Sequence, residues 1–251
     1  MILHTNKTIK IKHTNKTIRL PEDLKKQIDL FWKEQIKNNQ HLFNGEDWNV
    51  TKMEELNNEI ILHLEKTNYA HYLYDERHGI EEKYACHKIS SGVFIETIDG
   101  YAVIGELDKN TSYPKCLQVS GGGIDKEDII NGEIDIVETA KRELKEELNI
   151  DLYSKEQIKS YKFKYIEIPE GKRHAYTIIL KAISNLTAKQ LNKHFNEYKK
   201  WLEDNNKEIE FNKLYFLKIG HSVNELDKLD NPKRIYLRQL LEIEDKLKNV
   251  N

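Results

Sequence analysis

The sequence predicts an α/β protein, a mixed sheet sandwiched between helices and preceded by a smaller α+β subdomain. Three observations carry that prediction. From Tyr84 onward, short runs rich in Val, Ile, Phe and Tyr alternate with longer segments of helical apolar spacing. An Asp99-Gly100 pair separates SSGVFIET from YAVIGEL, the signature of a two-residue hairpin. The 251 residues, 38% of them hydrophobic, suffice for one large core or two modest ones. We place the boundary near residue 80, giving a subdomain 1–80 and a main domain 81–251.

The first twenty residues contain HTNKTI twice, at His4 to Ile9 and at His13 to Ile18. Ile9, Ile11, Ile18 and Leu20 alternate with polar residues, which predicts two strands joined by a turn. This hairpin carries Lys7, Lys10, Lys12, Lys16 and Arg19 and no acid. Lysines of this kind commonly protect a sheet edge, and they could equally touch phosphates. Pro21 opens a helix with Leu24, Ile28, Phe31, Trp32 and Ile36 on one face, ending at Asn38-Asn39. Asn44-Gly45 signals a further hairpin turn, and Ile60, Ile61, Leu62 and Leu64 mark a strand over residues 56–65. Thr67 to Tyr74 form a short helix or turn, where Tyr69, His71, Tyr72 and Tyr74 make an aromatic cluster suited to packing between subdomains or to stacking on a base.

In the main domain the Asp99-Gly100 hairpin is followed by LQVSGGGID, a short strand running into three glycines. A helix spans Ile136 to Leu148, and the strands YKFKYIEI and AYTIILKAI are joined through Pro169 and Gly171. Thr187 caps a helix reaching about Asn205, the strand EFNKLYFLKI follows, and a last helix begins after Pro232 with Ile235, Leu237, Leu240, Leu241 and Leu247 as its apolar members.

Composition narrows the function classes. No apolar run approaches the roughly 20 residues of a membrane-spanning helix. Forty basic against forty-two acidic residues give a net charge of −2, so no wholesale electrostatic grip on nucleic acid is indicated, although a local basic patch is not excluded. Cys86 and Cys116 are too few for a disulfide scaffold and lack metal-ligand spacing. The first twenty residues have no secretory apolar region, and a cytoplasmic protein is expected.

Chemistry is concentrated in Gly121 to Ile150. On a helix, Ile136, Val137, Ala140, Leu144 and Leu148 fall within an arc of roughly 120°, and Glu143, Glu146 and Glu147 within about 100° directly beside it. Lys141, Lys145 and Glu138 point elsewhere. Like-charge helix pairs cost about 0.2–0.5 kcal/mol each when exposed, and more when buried. Arg142 reaches Glu146 at i+4 but not all three. A hard divalent cation, Mg²⁺ or Mn²⁺, would resolve the repulsion; a solvated acidic helix face would show the same three residues. The glycines upstream favour the first reading, because they let backbone approach a ligand and expose carbonyls.

At these residues the sequence resembles the Nudix hydrolase family. That signature runs Gly, five residues, Glu, seven residues, then Arg-Glu-aliphatic-x-Glu-Glu-x-Gly-aliphatic. Its second half stands here as Arg142-Glu143-Leu144-Lys145-Glu146-Glu147-Leu148-Asn149-Ile150, with Asn149 in place of the Gly, the most tolerant substitution at a left-handed helix end. In the first half, Gly122 aligned with the family glycine puts Glu133 in the place of the first Glu, ten residues on, with eight before Arg142 and an enlarged loop over about Lys126 to Asn131. Ser120 stands where many members have Pro. The resemblance covers roughly Tyr84 to Asn251. The front third, with Trp32 on a helix followed by Leu42-Phe43-Asn44-Gly45, is similar to the N-terminal region of Nudix enzymes that cleave UDP-glucose and UDP-galactose.

The resemblance implies a Nudix-type α/β/α sandwich and Mg²⁺- or Mn²⁺-dependent hydrolysis of a diphosphate bond in a nucleoside diphosphate linked to another moiety, such as a UDP-sugar. It implies that Glu143, Glu146 and Glu147 bind metal, one of them serving as base, with a main-chain carbonyl at Gly122 or Gly123 completing the set. Arg142 would orient the glutamates. An additional acid is expected ahead of the late aromatic strand, at Glu208 or Glu210, with Glu167 and Glu170 as weaker candidates. Lys172, Arg173 and His174 are placed to approach phosphates. Two other readings are a nucleotide-conjugate-sensing domain without turnover, expected to show an eroded glutamate triad, and an RNA cap or 5′-end hydrolase using the basic hairpin. The isomerase branch of the fold is distant, since neither cysteine is tied to its chemistry.

Overall fold

The chain opens with β1 (Ile2–His4), β2 (Thr8–Thr17), α1 (Glu22–Asn38), β3 (Glu46–Glu55), β4 (Glu59–Asn68) and α2 (Tyr69–His78). There follow β5 (Lys88–Glu96), β6 (Tyr101–Leu107), β7 (Leu117–Gln118), a small pair β8 (Ile129–Ile130) and β9 (Glu133–Ile134), and α3 (Ile136–Leu148). The strands β10 (Ile158–Glu167) and β11 (Ala175–Ser184), α4 (Ala188–Asp204), β12 (Phe211–Lys218), α5 (Ser222–Leu226) and α6 (Ile235–Val250) complete it. These elements come from a computed structural model that describes residues 1–40, 42–170 and 175–250. Gly171, expected in the β10–β11 turn, lies outside the described residues.

Among the described residues, ten strands form one mixed sheet, with β1-β10-β11-β5-β3-β4-β2 in line and β6, β7 and β12 branching from β5. Alternation along β5 shows how its faces are used. Val93 and Ile95 join a core with Ala140, Leu144 and Leu148 of α3 and Leu191 and Phe195 of α4. Phe94 joins a second core with Leu226 of α5 and Tyr236, Leu237, Leu240 and Leu241 of α6. Helices thus cover both faces of the central strands, the α/β/α arrangement expected from the sequence. The five-residue α5 is too short to leave a periodic signal.

The predicted N-terminal hairpin does not form. β1 pairs antiparallel with β10, and β2 pairs parallel with β4, at opposite ends of the strand order. Four residue steps separate His4 from Thr8, a span of at most about 14 Å, so the sheet must roll until its two ends nearly meet. Both HTNKTI copies contribute to this seam, and the second is absorbed into a single ten-residue β2 with a register shift between His13 and Thr17. Inside the roll lies a third core. It joins Ile9, Trp48, Val50, Ile60, Leu62 and Leu64 from strands before residue 80 to Ile89, Ile166 and Ile178 from strands after it.

Asn44-Gly45 is likewise not a hairpin turn. The pair lies between α1 and β3 and is spent on α2: Asn44 Oδ1 accepts from the Ala70 N–H at 2.8 Å, and the Gly45 carbonyl from Tyr69 N–H at 3.1 Å. The signal misled because a helix, not a strand, precedes it. The hairpin of this region turns at residues 56–59 instead, where Leu56 N–H donates to the Glu59 carbonyl at 2.8 Å. The aromatic cluster packs α2 against α1, through Phe31 with Tyr74 and Trp32 with Tyr69. No helix among the described residues is long and apolar enough to cross a membrane.

Close packing makes one testable demand. A Cβ at Gly105 on β6 would collide with the ring of Phe211, itself 1% exposed. Gly105→Ala should therefore destabilise the protein by about 1–3 kcal/mol, lowering the melting temperature by several degrees in a thermal scan. An unchanged melting temperature would contradict this packing.

Candidate active site

The helix α3 begins at Asp135, whose side chain accepts from Val137 N–H at 2.9 Å, and ends at Asn149 in the left-handed conformation with φ 54°. Of its apolar stripe, Ile136, Ala140, Leu144 and Leu148 are buried and Val137 is half-buried. Glu143 and Glu147, beside the stripe, are carried in with it and are 7% and 3% exposed. Burial of these carboxylates follows from the amphipathic pattern of the helix and the sheet it covers.

The glycine turn meets them. Beyond β7 the backbone runs along β5, with Val93 N–H donating to the Ser120 carbonyl at 2.7 Å and Ser91 N–H to that of Gly122 at 2.9 Å. Gly121 has φ +146°, and a Cβ there would run into the Ser91 carbonyl. Its N–H donates to Glu147 Oε2 at 2.9 Å. A Cβ on Gly122 would stand 2.5 Å from Glu143 Oε1. Gly121 is glycine because the β5 backbone lies against it and its φ is positive, and Gly122 because the Glu143 carboxylate occupies the space of a Cβ.

Glu143, Glu147 and Glu210 converge, each offering a carboxylate oxygen within 4.8 Å of the others. Glu210 enters from the start of β12, where its carbonyl accepts from Asp108 N–H at 2.7 Å. The residue is exposed at the rim, but its carboxylate faces the two buried ones. Glu146 does not join them: its side chain is 59% exposed and bonds Arg142 Nη1 at 3.1 Å. Burial, with Glu210 and Glu146 as like-charged neighbours, pushes Glu143 up to about 7 against the pull of Arg142. Burial, Glu210 and Glu143 raise Glu147 well above the ordinary carboxylate range. Burial of its carboxylate and Glu146 raise Glu210. Glu147 Oε1 is buried with no hydrogen-bond partner. An all-oxygen donor set with one orphaned oxygen fits a hard divalent cation.

Arg142 neutralises part of this charge. Its Nη1 donates to Glu143 Oε1 at 2.9 Å and its Nη2 to the Gly123 carbonyl at 2.9 Å. The Gly123 carbonyl, expected among metal ligands, thus faces the guanidinium, and one lone pair of the Gly122 carbonyl is engaged by Ser91. A bidentate pair then ties Arg142 to Asp128, through Nε at 3.1 Å and Nη2 at 2.9 Å. Asp128 is 2% exposed.

Asp128 went unseen in the sequence, although five residues separate it from Gly122, the signature's own spacing. Alignment on glutamate identity selects Glu133 instead. That residue is exposed on β9, in a hairpin closed by Asn131 (φ 53°) and Gly132 (φ 79°). Setting aside residues 129–134, the β8–β9 hairpin, leaves seven residues, 135–141, between Asp128 and Arg142. The enlarged loop expected over Lys126 to Asn131 is this inserted hairpin, and it falls after the acid rather than before it.

Other candidates lie elsewhere. Glu167 accepts from Thr177 Oγ1 at 2.9 Å on the sheet, and Glu170 from the amino terminus at 2.9 Å. Glu208 is exposed and outside the cluster. Lys172, Arg173 and His174 lie outside the described residues. Clefts of about 350 and 550 Å³ are lined by Lys12, His13 and His63, and by Asn38, Arg77 and Lys109, and include no residue of the acidic cluster.

Removing the buried partner of Arg142 by Asp128→Ala should cost about 3–5 kcal/mol in urea unfolding, whereas Glu133→Gln should change stability by less than about 0.5 kcal/mol. The reverse order would return Glu133 to the motif. Because Glu143 titrates at about 7 in the folded chain against 4.5 as its ordinary value, the folded state binds its proton more tightly. The resulting stabilisation is full at low pH and is lost as pH rises through about 7. In chelator, the melting temperature should fall across that window more steeply for the native sequence than for Glu143→Gln.

No family model matches the sequence, and no curated protein does. Among solved structures, the chain is similar to a Deinococcus radiodurans protein at 18% identity, covering 62% of this chain and 82% of that one with a TM-score of 0.44. It is also similar to a MutT protein from Methanosarcina mazei (13%, 64% and 94%, TM-score 0.39) and a Nudix hydrolase from Nitrosomonas europaea (13%, 64% and 88%, TM-score 0.38). At identities and TM-scores this low, the likeness assigns no activity to this chain.

Proposed function

We propose that the protein hydrolyses a diphosphate bond in a nucleoside diphosphate linked to another moiety, using Mg²⁺ or Mn²⁺ held by Glu143, Glu147 and Glu210. The observation that supports this most is the convergence of three carboxylates against a glycine turn, with one buried oxygen left without a partner. A bound divalent cation supplies charge stabilisation to phosphate oxygens and the leaving group. Glu143, buried beside the glycine turn and oriented by Arg142, takes the proton of the attacking water. Arg142, with all three nitrogens already committed, orients Glu143 and Glu146 rather than meeting substrate. Glu146 adds negative charge at the solvent side.

An intact acidic cluster favours turnover over a sensing role. The basic N-terminal strand offers little to nucleic acid, because Lys7 pairs with Glu55 at 2.7 Å and Lys10 with Glu59 at 2.5 Å. A small conjugate is therefore the better substrate class, and the likeness of the front third makes UDP-sugars the first to try.

The test is product release from UDP-sugars, ADP-ribose, NAD, dinucleoside polyphosphates, dNTPs and capped RNA with Mg²⁺ or Mn²⁺. One class should be cleaved, and Glu147→Gln or Glu210→Gln should slow it at least 100-fold, about 2.7 kcal/mol of barrier. Nucleotide binding without cleavage of any member would favour the sensing domain. Millimolar Mg²⁺ or Mn²⁺ should also raise the melting temperature, and Glu147→Gln should abolish that rise.

A further inference from the structure

We propose that Arg234 binds a substrate phosphate beside the acidic cluster, a role that rests on the diphosphate-hydrolase reading above. The need comes from charge. Glu143, Glu146, Glu147, Glu210 and Asp128 face a single guanidinium, and Arg142 spends Nε, Nη1 and Nη2 on those acids and on the Gly123 carbonyl. Even with one divalent cation held there, five carboxylates outweigh that ion and one guanidinium, so an anionic diphosphate gains from a further cation beside the site.

Arg234 is prepared for that task. Its guanidinium carbon lies 3.8 Å from the centroid of the Tyr113 ring, and Nε donates to Gln118 Oε1 at 3.2 Å. Among the described residues it forms no ion pair, and this is the one side-chain hydrogen bond it makes. The acid of the surrounding network, Glu76, is already bound by the hydroxyls of Tyr72 and Tyr113. Neither terminal nitrogen has a partner, and neither is sealed from solvent. A planar fork held flat on a ring, with two unspent donors and no counter-ion, is matched to phosphate oxygens.

Placement joins it to the site. Gln118 pairs with Gly105, the glycine packed against Phe211, and Ser120 bridges Val93. Phe211 and Val93 belong to the core beneath α3, so Gln118 and Ser120 face the same side as Glu143 and Glu147. Ser120, 4% exposed, lies beside Glu147, and its hydroxyl interacts with that carboxylate. Two residues along an extended strand span about 6.6 Å. Gln118, the partner of Arg234, is therefore one strand repeat from Ser120, which lies beside Glu147 of the acidic cluster.

The test is calorimetric titration with methylenediphosphonate, a diphosphate whose bridge cannot be hydrolysed, in Mg²⁺. Arg234→Ala should weaken binding at least tenfold, and Arg234→Lys, which keeps charge but loses the fork, should recover only part. Melting temperatures accompany each variant, since a merely structural arginine would lower stability and leave the affinity of the folded protein unchanged. Unchanged affinity in Arg234→Ala, or no binding by the native sequence at millimolar ligand, would overturn the proposal. Loss in Glu147→Gln but not in Arg234→Ala would keep the acidic site and remove Arg234 from it. With a cleaved substrate in hand, Arg234→Ala should raise KM far more than it lowers kcat.

Discussion

Carboxylates within 4.8 Å of one another repel, and the centre of this molecule is arranged around keeping three of them there. Two come in on the buried flank of α3, where the apolar stripe leaves them no route to solvent. Gly122 has no side chain because the Glu143 carboxylate occupies the space a Cβ would need, and Gly121 because the β5 backbone does. Arg142 compensates from one side only, and it is aimed by Asp128, the last residue of a short 3₁₀ turn before the β8–β9 hairpin. Helix, turn and loop are thus tied through one guanidinium, and the remaining negative charge is left facing outward.

The rolled sheet explains how a front third without catalytic groups bears on that centre. β2 closes the roll and touches the inserted hairpin, where His13 Nε2 donates to the Gly132 carbonyl at 2.7 Å and His13 packs edge-on against Trp48. The base of the same hairpin carries Asp128. Two strands of the front third therefore support the hairpin that leads away from the residue orienting Arg142. Lys88 does something similar on the other face, paired with Asp47 at 2.8 Å beneath the rings of Tyr69 and Tyr72 and pressed against Gly123.

Much of this was legible in the residues. The 13-residue periodicity of α3 predicted its ends, its buried face and the glutamates beside it, and Thr187 and Pro21 marked the helices they precede. What could not be read is what depends on distant pairing. The HTNKTI repeat has the alternation of a strand, but alternation does not name the partner, and β1 and β2 found theirs 160 and 50 residues away. Asn44-Gly45 was a turn signal without two strands to join. Glu210 stands where an additional acid was expected, ahead of the late aromatic strand, whereas Glu146 turns away to Arg142, because helical spacing shows which residues share a face and not which one a guanidinium will capture. Asp128 was visible by spacing and missed by residue type, since the shorter carboxylate reaches Arg142 from a 3₁₀ turn capped by Asp125.

The inserted hairpin leaves the chain where it entered. Asp135 N–H donates to the Asp128 carbonyl at 3.1 Å, so the six residues between form a loop whose two feet stand together. A segment of that shape is modular. Its two feet are bonded to each other, so the positions of the acid, the guanidinium and the helix are set at the base, while the far end of the segment answers to β2 through His13.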